Sequence, residues 1–209
     1  MWRSTLRVFE LTGKTAARET AALTIEEPRD PSTRFVGAPQ FGMCVRGDYA
    51  YFALTGTLAT LDVRDPAHPR LVGRTEIAPA AVALYGAPQQ VAIAGNRLYV
   101  QGLWPRRLLS FDLTDPARPT RAEEYDWRLR PGAVLGTPGG SLAVYLPRLN
   151  GALLFAPRPG LWPGRVRQLG GGPEGTPHPH RMTGVAFGDH VYALIDEERV
   201  AAFPAAGGV

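Results

Sequence analysis

The chain has 209 residues, of which 44% are hydrophobic and 20% charged, and this composition excludes a disordered or collagen-like protein. Its net charge of +4 comes almost wholly from arginine, since Lys14 is the single lysine, and no dense basic run of the kind that follows a nucleic-acid backbone is present. One cysteine, Cys44, excludes an intrachain disulfide and is expected to be a small buried hydrophobe.

The N-terminal residues show no targeting or membrane-spanning pattern. Arg7 and Glu10 interrupt the apolar residues before the core of a signal peptide forms. No window approaches eighteen uninterrupted apolar residues, so no membrane span is expected. The sequence as given predicts a soluble protein, cytoplasmic by default and extracytoplasmic if further residues precede Met1.

The first predicted strand belongs to the middle of a repeating unit. Residues 6–12 match residues 108–114, and both segments carry a phenylalanine at the same place, Phe9 and Phe111. Phe203 takes the equivalent place near the C-terminus, so all three segments are interpreted as third strands of their units. We therefore expect residues 4–25 to form only part of a unit.

The clearest unit covers residues 40–77, with strands expected at 40–46, 49–55, 58–63 and 70–77. Its first two strands flank Gly47-Asp48, which is typical of a two-residue hairpin turn with glycine supplying a positive φ at the first position. Glycine-led segments of the same kind begin at Gly95, Gly139 and Gly188, so the successive intervals that start from Gly47 are 48, 44 and 49 residues. The sequence thus repeats with a period of roughly forty-seven residues.

A second marker joins the third and fourth strands. Asp65-Pro66-Ala67-His68-Pro69 matches Asp115-Pro116-Ala117-Arg118-Pro119, fifty residues further on. Aspartate caps such a turn through its side chain, and proline presets φ for the residue that follows. Asp65 and Asp115 are therefore interpreted as turn caps, in preference to metal or acid/base carboxylates, and Asp189 as a hairpin residue.

Two further units and a partial one complete the pattern. A second unit is expected at 88–126, a third at 131–169 with Pro157-Arg158-Pro159 in place of the Asp-Pro marker, and a last partial unit at 182–204. Four short antiparallel strands per unit are typical of a propeller blade. The fold class predicted is all-β, a single β-propeller domain over 1–209 with four to five four-stranded antiparallel blades, incomplete at both termini. A four-bladed ring that the two termini complete together, a five-bladed ring with short end blades, and a piece of a longer propeller all stay open.

Residues 58–73 resemble the LVIVD-repeat family of propellers. They follow that family's pattern of an apolar residue, Asp-Val, Asp-Pro, a second proline, and an apolar pair followed by glycine. The second copy departs from the pattern at Thr120-Arg121-Ala122. The resemblance implies a propeller of bacterial and often extracytoplasmic type, commonly with six or seven blades, and no activity common to the family.

Propeller topology indicates where a ligand would bind. The loops before each first strand and the loops between second and third strands lie on one face, the channel mouth, where recognition usually takes place. The residues predicted to bind a ligand there are Gln40, Gln89, Gln90, Trp104, Arg130, His180 and Arg181. Further polar residues of the second-to-third loops are Arg106, Arg107, Arg148 and Asn150. Guanidinium forks and amides suit a protein, a peptide or a small anion.

A catalytic function is the rival hypothesis. His178 and His180 are a common start for a metal site, with His190 as a further ligand of a metal-assisted hydrolase or oxidase, but the proline between the first two prevents helical spacing. Neither a Gly-x-Ser-x-Gly elbow nor a phosphate-binding loop occurs. The leading prediction is a non-catalytic interaction module without cofactor, nucleic-acid partner or membrane span, and a homo-oligomer if the ring is incomplete.

Overall fold

The computed structural model shows an all-β chain. It describes residues 2–11, 16–27, 42–54, 56–77, 88–102, 107–126, 133–137, 140–146, 151–158, 161–171, 184–187, 190–194 and 200–204. Every regular element within these ranges is a β-strand, and none of them contains a helix that is long and apolar enough to cross a bilayer.

The strands form five antiparallel sheets in chain order. The N-terminal hairpin consists of β1 (Trp2–Leu11) and β2 (Ala17–Glu27). The first blade consists of β3 (Met43–Arg46), β4 (Tyr49–Ala53), β5 (Thr57–Asp62) and β6 (Arg70–Glu76). The second blade consists of β7 (Pro88–Ala94), β8 (Arg97–Gly102), β9 (Arg107–Asp112) and β10 (Thr120–Asp126).

The third blade consists of β11 (Ala133–Gly136), β12 (Leu142–Leu146), β13 (Gly151–Arg158) and β14 (Leu161–Gly171). The last sheet consists of β15 (Gly184–Phe187), β16 (His190–Leu194) and β17 (Val200–Pro204). In every sheet, hydrogen-bonded neighbours are also neighbours in sequence. The first strands lie against one another in succession, β3 on β7, β7 on β11 and β11 on β15, which is the arrangement of blades around a propeller axis.

Glycine begins the expected hairpin turns of the first two blades. Arg46 pairs with Tyr49, so that the loop is Gly47-Asp48, and φ is 54° at Gly47 and 58° at Gly95. This confirms the turns inferred for those two blades. The third blade differs, because Gly136 pairs with Leu142 across a longer loop and the positive φ falls on Gly140. The two-residue turn expected at Gly139-Gly140 is therefore wrong.

Among the residues whose side chains are described, buried apolar side chains form three clusters, in the first three of the four joints between consecutive sheets. Ile25 of the N-terminal hairpin packs with Leu54 and Leu61 of the first blade. The joint between the first and second blades, the first joint, buries Tyr51, Leu58, Leu98, Val100 and Phe111. The joint between the second and third blades, the second joint, buries Tyr99, Leu108, Val134, Leu142 and Val144. The sheets are thus held face to face by apolar burial.

A β-bulge recurs at one place in three of the sheets. The register shifts between Val8 and Phe9 in β1, between Thr60 and Leu61 in β5, and in β10 opposite Ser110 and Phe111 of β9. Because these positions are equivalent in the repeat, the common bulge supports the interpretation of β1 and β2 as third and fourth strands of a blade.

Candidate functional site

The described residues outline one end of the second blade, where the predicted channel mouth lies. Pro88 at the start of β7 pairs with Gly102 at the end of β8, and Gln101 pairs with Leu108 near the start of β9. The start of the first strand and the connection from second to third strand therefore lie at the same end of the sheet. Gln89 and Gln90 lie in β7 at this end.

Gln90 has a described side chain, and it joins two blades. Its Oε1 atom accepts a hydrogen bond from the backbone N–H of Val134 at 2.5 Å. Val134 lies in β11, the first strand of the third blade, so the half-buried glutamine links β7 to β11 close to the mouth. This contact positions the blades, and ligand binding by Gln90 stays a prediction.

Most of the other predicted binding residues lie outside the described residues. This applies to Gln40, Trp104, Arg130, His180 and Arg181, and also to His178, Arg106, Arg148 and Asn150. Gln89, Arg107 and His190 lie in strands β7, β9 and β16, where only their backbone is described.

The first strands approach one another so closely that glycine is required at two places. A Cβ atom at Gly42 would lie 2.5 Å from the backbone nitrogen of Val91, and a Cβ atom at Gly136 would lie 1.4 Å from the carbonyl oxygen of Ile93. Both distances are shorter than any ordinary van der Waals contact. Gly42 precedes β3 and Gly136 ends β11, so adjacent first strands are in direct backbone contact.

The Asp-Pro turns lie at the end of the blades opposite the mouth. Oδ1 of Asp65 accepts a hydrogen bond from the backbone of Ala67 at 3.0 Å, and Oδ1 of Asp115 accepts one from Ala117 at 3.0 Å. The hydrogen bond with His68, followed by that from the Ala67 backbone, lowers the pKa of Asp65. Both aspartates cap their turns as predicted.

Asp62 is a charged group whose role the sequence interpretation missed. Its carboxylate, which is 4% exposed, accepts hydrogen bonds from the backbone nitrogen and Nε of Arg64 and from the guanidinium of Arg70. The side-chain hydrogen bonds with Arg64 hold the pKa of Asp62 well below its usual value. In the second blade Asp112 accepts a hydrogen bond from the Thr114 backbone at 2.7 Å. The first aspartate of the Asp-Val-x-Asp-Pro pattern is the signal that would have indicated this role.

The first joint is fixed by a turn of one blade docked on the blade before it. The Tyr51 hydroxyl donates a hydrogen bond to the carbonyl of Pro116 at 2.9 Å, and the Thr75 hydroxyl donates one to Pro119 at 3.0 Å. A Cβ atom at Gly73 would lie 3.2 Å from the carbonyl oxygen of Ala117, so glycine leaves space for the turn. Burial raises the pKa of Tyr51 to about 12, which keeps the hydroxyl protonated as a donor.

The second joint has a different set of side chains at the same register positions. Tyr99, Glu123 and Tyr125 stand where the first blade has Tyr51, Gly73 and Thr75. The Tyr125 hydroxyl donates a hydrogen bond to the carboxylate of Glu123, which also pairs with Arg97 at 3.4 Å. The Tyr99 hydroxyl is buried and makes no hydrogen bond with the part of the chain that the structure describes.

Two observations bear on catalytic chemistry. Burial raises the pKa of Cys44 to about 12, so its thiol is a protonated, weakly reactive group packed against the first-joint cluster. Among the described residues no three His, Cys, Asp or Glu side chains stand close enough to hold a metal ion. Asp62, Asp65, Asp112 and Asp115 are instead engaged in turn hydrogen bonds.

Sequential four-stranded sheets around one axis, joined face to face by apolar clusters, define this protein as a β-propeller. Residues 42–76 match the family model of the LVIVD repeat, which confirms the resemblance drawn from residues 58–73. The match coincides with the first blade, β3 to β6, and includes both Asp62 and the Asp65 turn.

Solved structures of similar fold are larger than this chain. A candidate 6-phosphogluconolactonase from Bacteroides uniformis is 15% identical with a TM-score of 0.56, over 99% of this chain and 65% of its own. A protein from Lactobacillus plantarum is 19% identical with a TM-score of 0.57, over 79% of this chain and 48% of its own. Virginiamycin B lyase from Staphylococcus aureus is 12% identical with a TM-score of 0.47, over 95% and 62%. The chain thus spans less than two thirds of each of these proteins. No curated protein matches its sequence significantly.

Proposed function

We propose that this propeller is a non-catalytic binding module that takes an acidic peptide segment of a protein, or a small anion, at its channel mouth. The observation that carries the proposal is the placement of charge along the chain. The four carboxylates Asp62, Asp65, Asp112 and Asp115 are bound into turns at the far end of the blades. The sequence segments assigned to the mouth supply mainly arginine and glutamine, including Arg130, Arg181 and Gln89, and their main carboxylates are Asp196, Glu197 and Glu198.

The physical basis of recognition is the guanidinium fork. Arginine donates two parallel hydrogen bonds to one carboxylate or phosphate, and glutamine amides add neutral hydrogen bonds without repelling the anion. The joints support this role, because the Gly42 and Gly136 approaches and the Gln90 bond to Val134 fix the first strands from which the mouth loops extend. Rigid strands reduce the entropy that binding costs.

Charge reversal tests the proposal. The double variant Arg130→Glu, Arg181→Glu is titrated against a fluorescein-labelled peptide of alternating Glu and Gly, and in parallel against inorganic phosphate, at low salt. We expect affinity for the peptide or for phosphate to fall at least tenfold, which corresponds to about 1.4 kcal/mol. The matched control is the double variant Arg18→Glu, Arg118→Glu, which makes the same change of net charge at exposed positions near the opposite end of the sheets. Equal loss in both variants, or unchanged binding in the first, contradicts the proposal.

A lactone hydrolase is the second candidate, because the Bacteroides uniformis protein of similar fold is a candidate 6-phosphogluconolactonase. On this chain His178, His180 and His190 are the residues that would bind the metal ion of a metal-assisted hydrolase. Metal analysis of the purified protein separates the two functions. A metal-assisted hydrolase that uses these histidines retains one metal ion per chain and loses it in the variant His178→Ala, His180→Ala, whereas the binding module retains none.

A further inference from the structure

The first blade lacks the cover that the second blade has. Register places Met43 and Val45 of β3 at the positions of Val91 and Ile93 in β7. Val91 is 9% exposed and Ile93 packs against the first-joint cluster, because the first blade covers them. Met43 and Val45 are 50% and 57% exposed. An apolar surface that is buried in one joint is thus uncovered at the start of the series.

The Asp-Pro turn of the first blade shows the same difference. Pro116 and Ala117 of the second blade are half-buried on the first blade, with Pro116 bound by Tyr51. Pro66 and Ala67 are exposed. The N-terminal hairpin covers the outer part of this face, where Ile25 packs on Ala59 and Leu61. What stays uncovered is therefore the place of a blade's two inner strands.

The last sheet carries inner strands that suit this place. Val185 pairs with Tyr192, as Cys44 pairs with Tyr51 in the first blade, and Leu194 follows at the position of Ala53. Cys44, Tyr51 and Ala53 belong to the cluster with which the first blade covers the second. β15 and β16 therefore repeat, position by position, the residue types of a covering surface.

We propose that β15 and β16 of a second copy of this chain dock beside β3, so that one blade is shared between two chains. Tyr192 of the incoming copy takes the role of Tyr51 and donates to the carbonyl of Pro66. β1 and β17 hold equivalent third-strand positions. In the shared blade, β1 therefore pairs with the incoming β16 and β17 is displaced from that pairing. This is an exchange of strands between copies. The resulting sheet has the order β15, β16, β1, β2.

The structure favours a second copy over closure within one chain. The last sheet lies against the third blade, through β11 with β15 and β14 with β17, while the close neighbours of β3 among the described strands are β4 and β7. A contact between the first blade of one copy and the last sheet of another is head-to-tail, and two such contacts close a dimer if the rotation fits.

Cross-linking between differently labelled chains tests the contact. In a Cys44→Ala background, one chain carries Pro66→Cys and the other Tyr192→Cys, and the mixture is treated with a short bis-maleimide. We expect a covalent heterodimer in the mixture and little dimer from either chain alone. A single chain that carries both cysteines and cross-links only within itself overturns the proposal, and so does the absence of any cross-link.

Sedimentation of charge variants provides the second test. We expect the wild-type chain to sediment as a dimer at micromolar concentration, and Met43→Glu, Val45→Glu to weaken the association at least tenfold with an unchanged circular dichroism spectrum. Val72→Glu is the matched control, because Val72 is an exposed apolar residue on the outer strand of the same blade. A monomeric wild-type chain, or a dimer that all the variants retain, overturns the proposal.

Discussion

The first and second joints occupy the same place in consecutive repeats, yet they are built differently. In the first joint, the backbone carbonyls of the docked Asp115 turn fill the space, and Tyr51 and Thr75 bind them. In the second joint, the side chains of Glu123 and Tyr125 occupy the equivalent register positions. The third blade has no Asp-Pro pair, so no such turn is available to dock. Loss of a turn in one blade is thus matched by larger side chains in the blade before it.

Tyr99 is the residue of the second joint that corresponds to Tyr51 of the first joint. It is as deeply buried as Tyr51, and burial raises its pKa to about 12 as well. Its hydroxyl has no acceptor among the described residues, and the third blade carries no Asp-Pro pair like the one that supplies Pro116. A buried hydroxyl without an acceptor costs free energy. Apolar packing of the ring in the second-joint cluster is therefore what stabilises this side chain in its place.

The largest effect is expected from the backbone approach in the second joint. Gly136→Ala places a methyl group against the carbonyl of Ile93 and forces the first strands apart, which costs about 3 kcal/mol of unfolding free energy. Urea unfolding followed by circular dichroism measures this loss. Gly47→Ala is the control, because Gly47 has φ of 54° and no neighbour within 4 Å, and costs about 1 kcal/mol through backbone strain alone. Equal costs for the two variants would show that the second joint is looser than described.

The two tyrosines give an intermediate effect that separates the joints directly. Tyr51→Phe removes the hydrogen bond to Pro116 and leaves that carbonyl without its donor, so we expect a loss of about 1 kcal/mol. Tyr99→Phe removes a hydroxyl without a described acceptor and is expected to leave stability unchanged or raised. Urea unfolding of both variants is the measurement. Equal losses at both positions would contradict the difference between the joints.

The smallest effect at neutral pH is expected at the turns. Hydrogen bonds from Thr114 lower the pKa of Asp112, so its folded-state pKa lies below its unfolded value near 3.9. The stabilisation is therefore complete above that unfolded pKa and is lost as pH falls through the folded-state pKa. Asp112→Asn retains an acceptor for the turn and is expected to flatten the acid side of the stability curve. Acid titration of unfolding, with Asp48→Asn as an exposed control, checks this slope.

Local structure was predictable from the sequence because short motifs determine it. Gly47 and Gly95 take the positive φ that their turns require, and Asp65 and Asp115 cap their turns as the Asp-Pro pairs indicate. The LVIVD-type pattern identified the first blade for the same reason. Each of these signals acts over a few neighbouring residues, where spacing along the chain translates directly into geometry.

The joints were not predictable, because their partners are distant in sequence. Tyr51 meets Pro116 across 65 residues, and no pattern within either repeat encodes that meeting. Gly136 did not stand out among 24 glycines, since its role arises from Ile93 of another blade. At the candidate mouth, the sequence predicted which residue types are present, and propeller topology predicted that they lie at one end of the sheets. The hydrogen bond from Val134 to Gln90 was not predictable, because it depends on the packing of β7 on β11.

The docked turn of the first joint bears on how a chain of repeats lengthens by duplication. The second repeat contributes a turn to the joint behind it and a tyrosine to the joint ahead, so that Tyr51 and Pro116 belong to different repeats. Duplication of one complete repeat therefore brings both halves of a new joint into the gene in a single event. Substitutions that erase one half leave its counterpart behind, and the Tyr99 hydroxyl, which has no acceptor among the described residues, has the form of such a remnant.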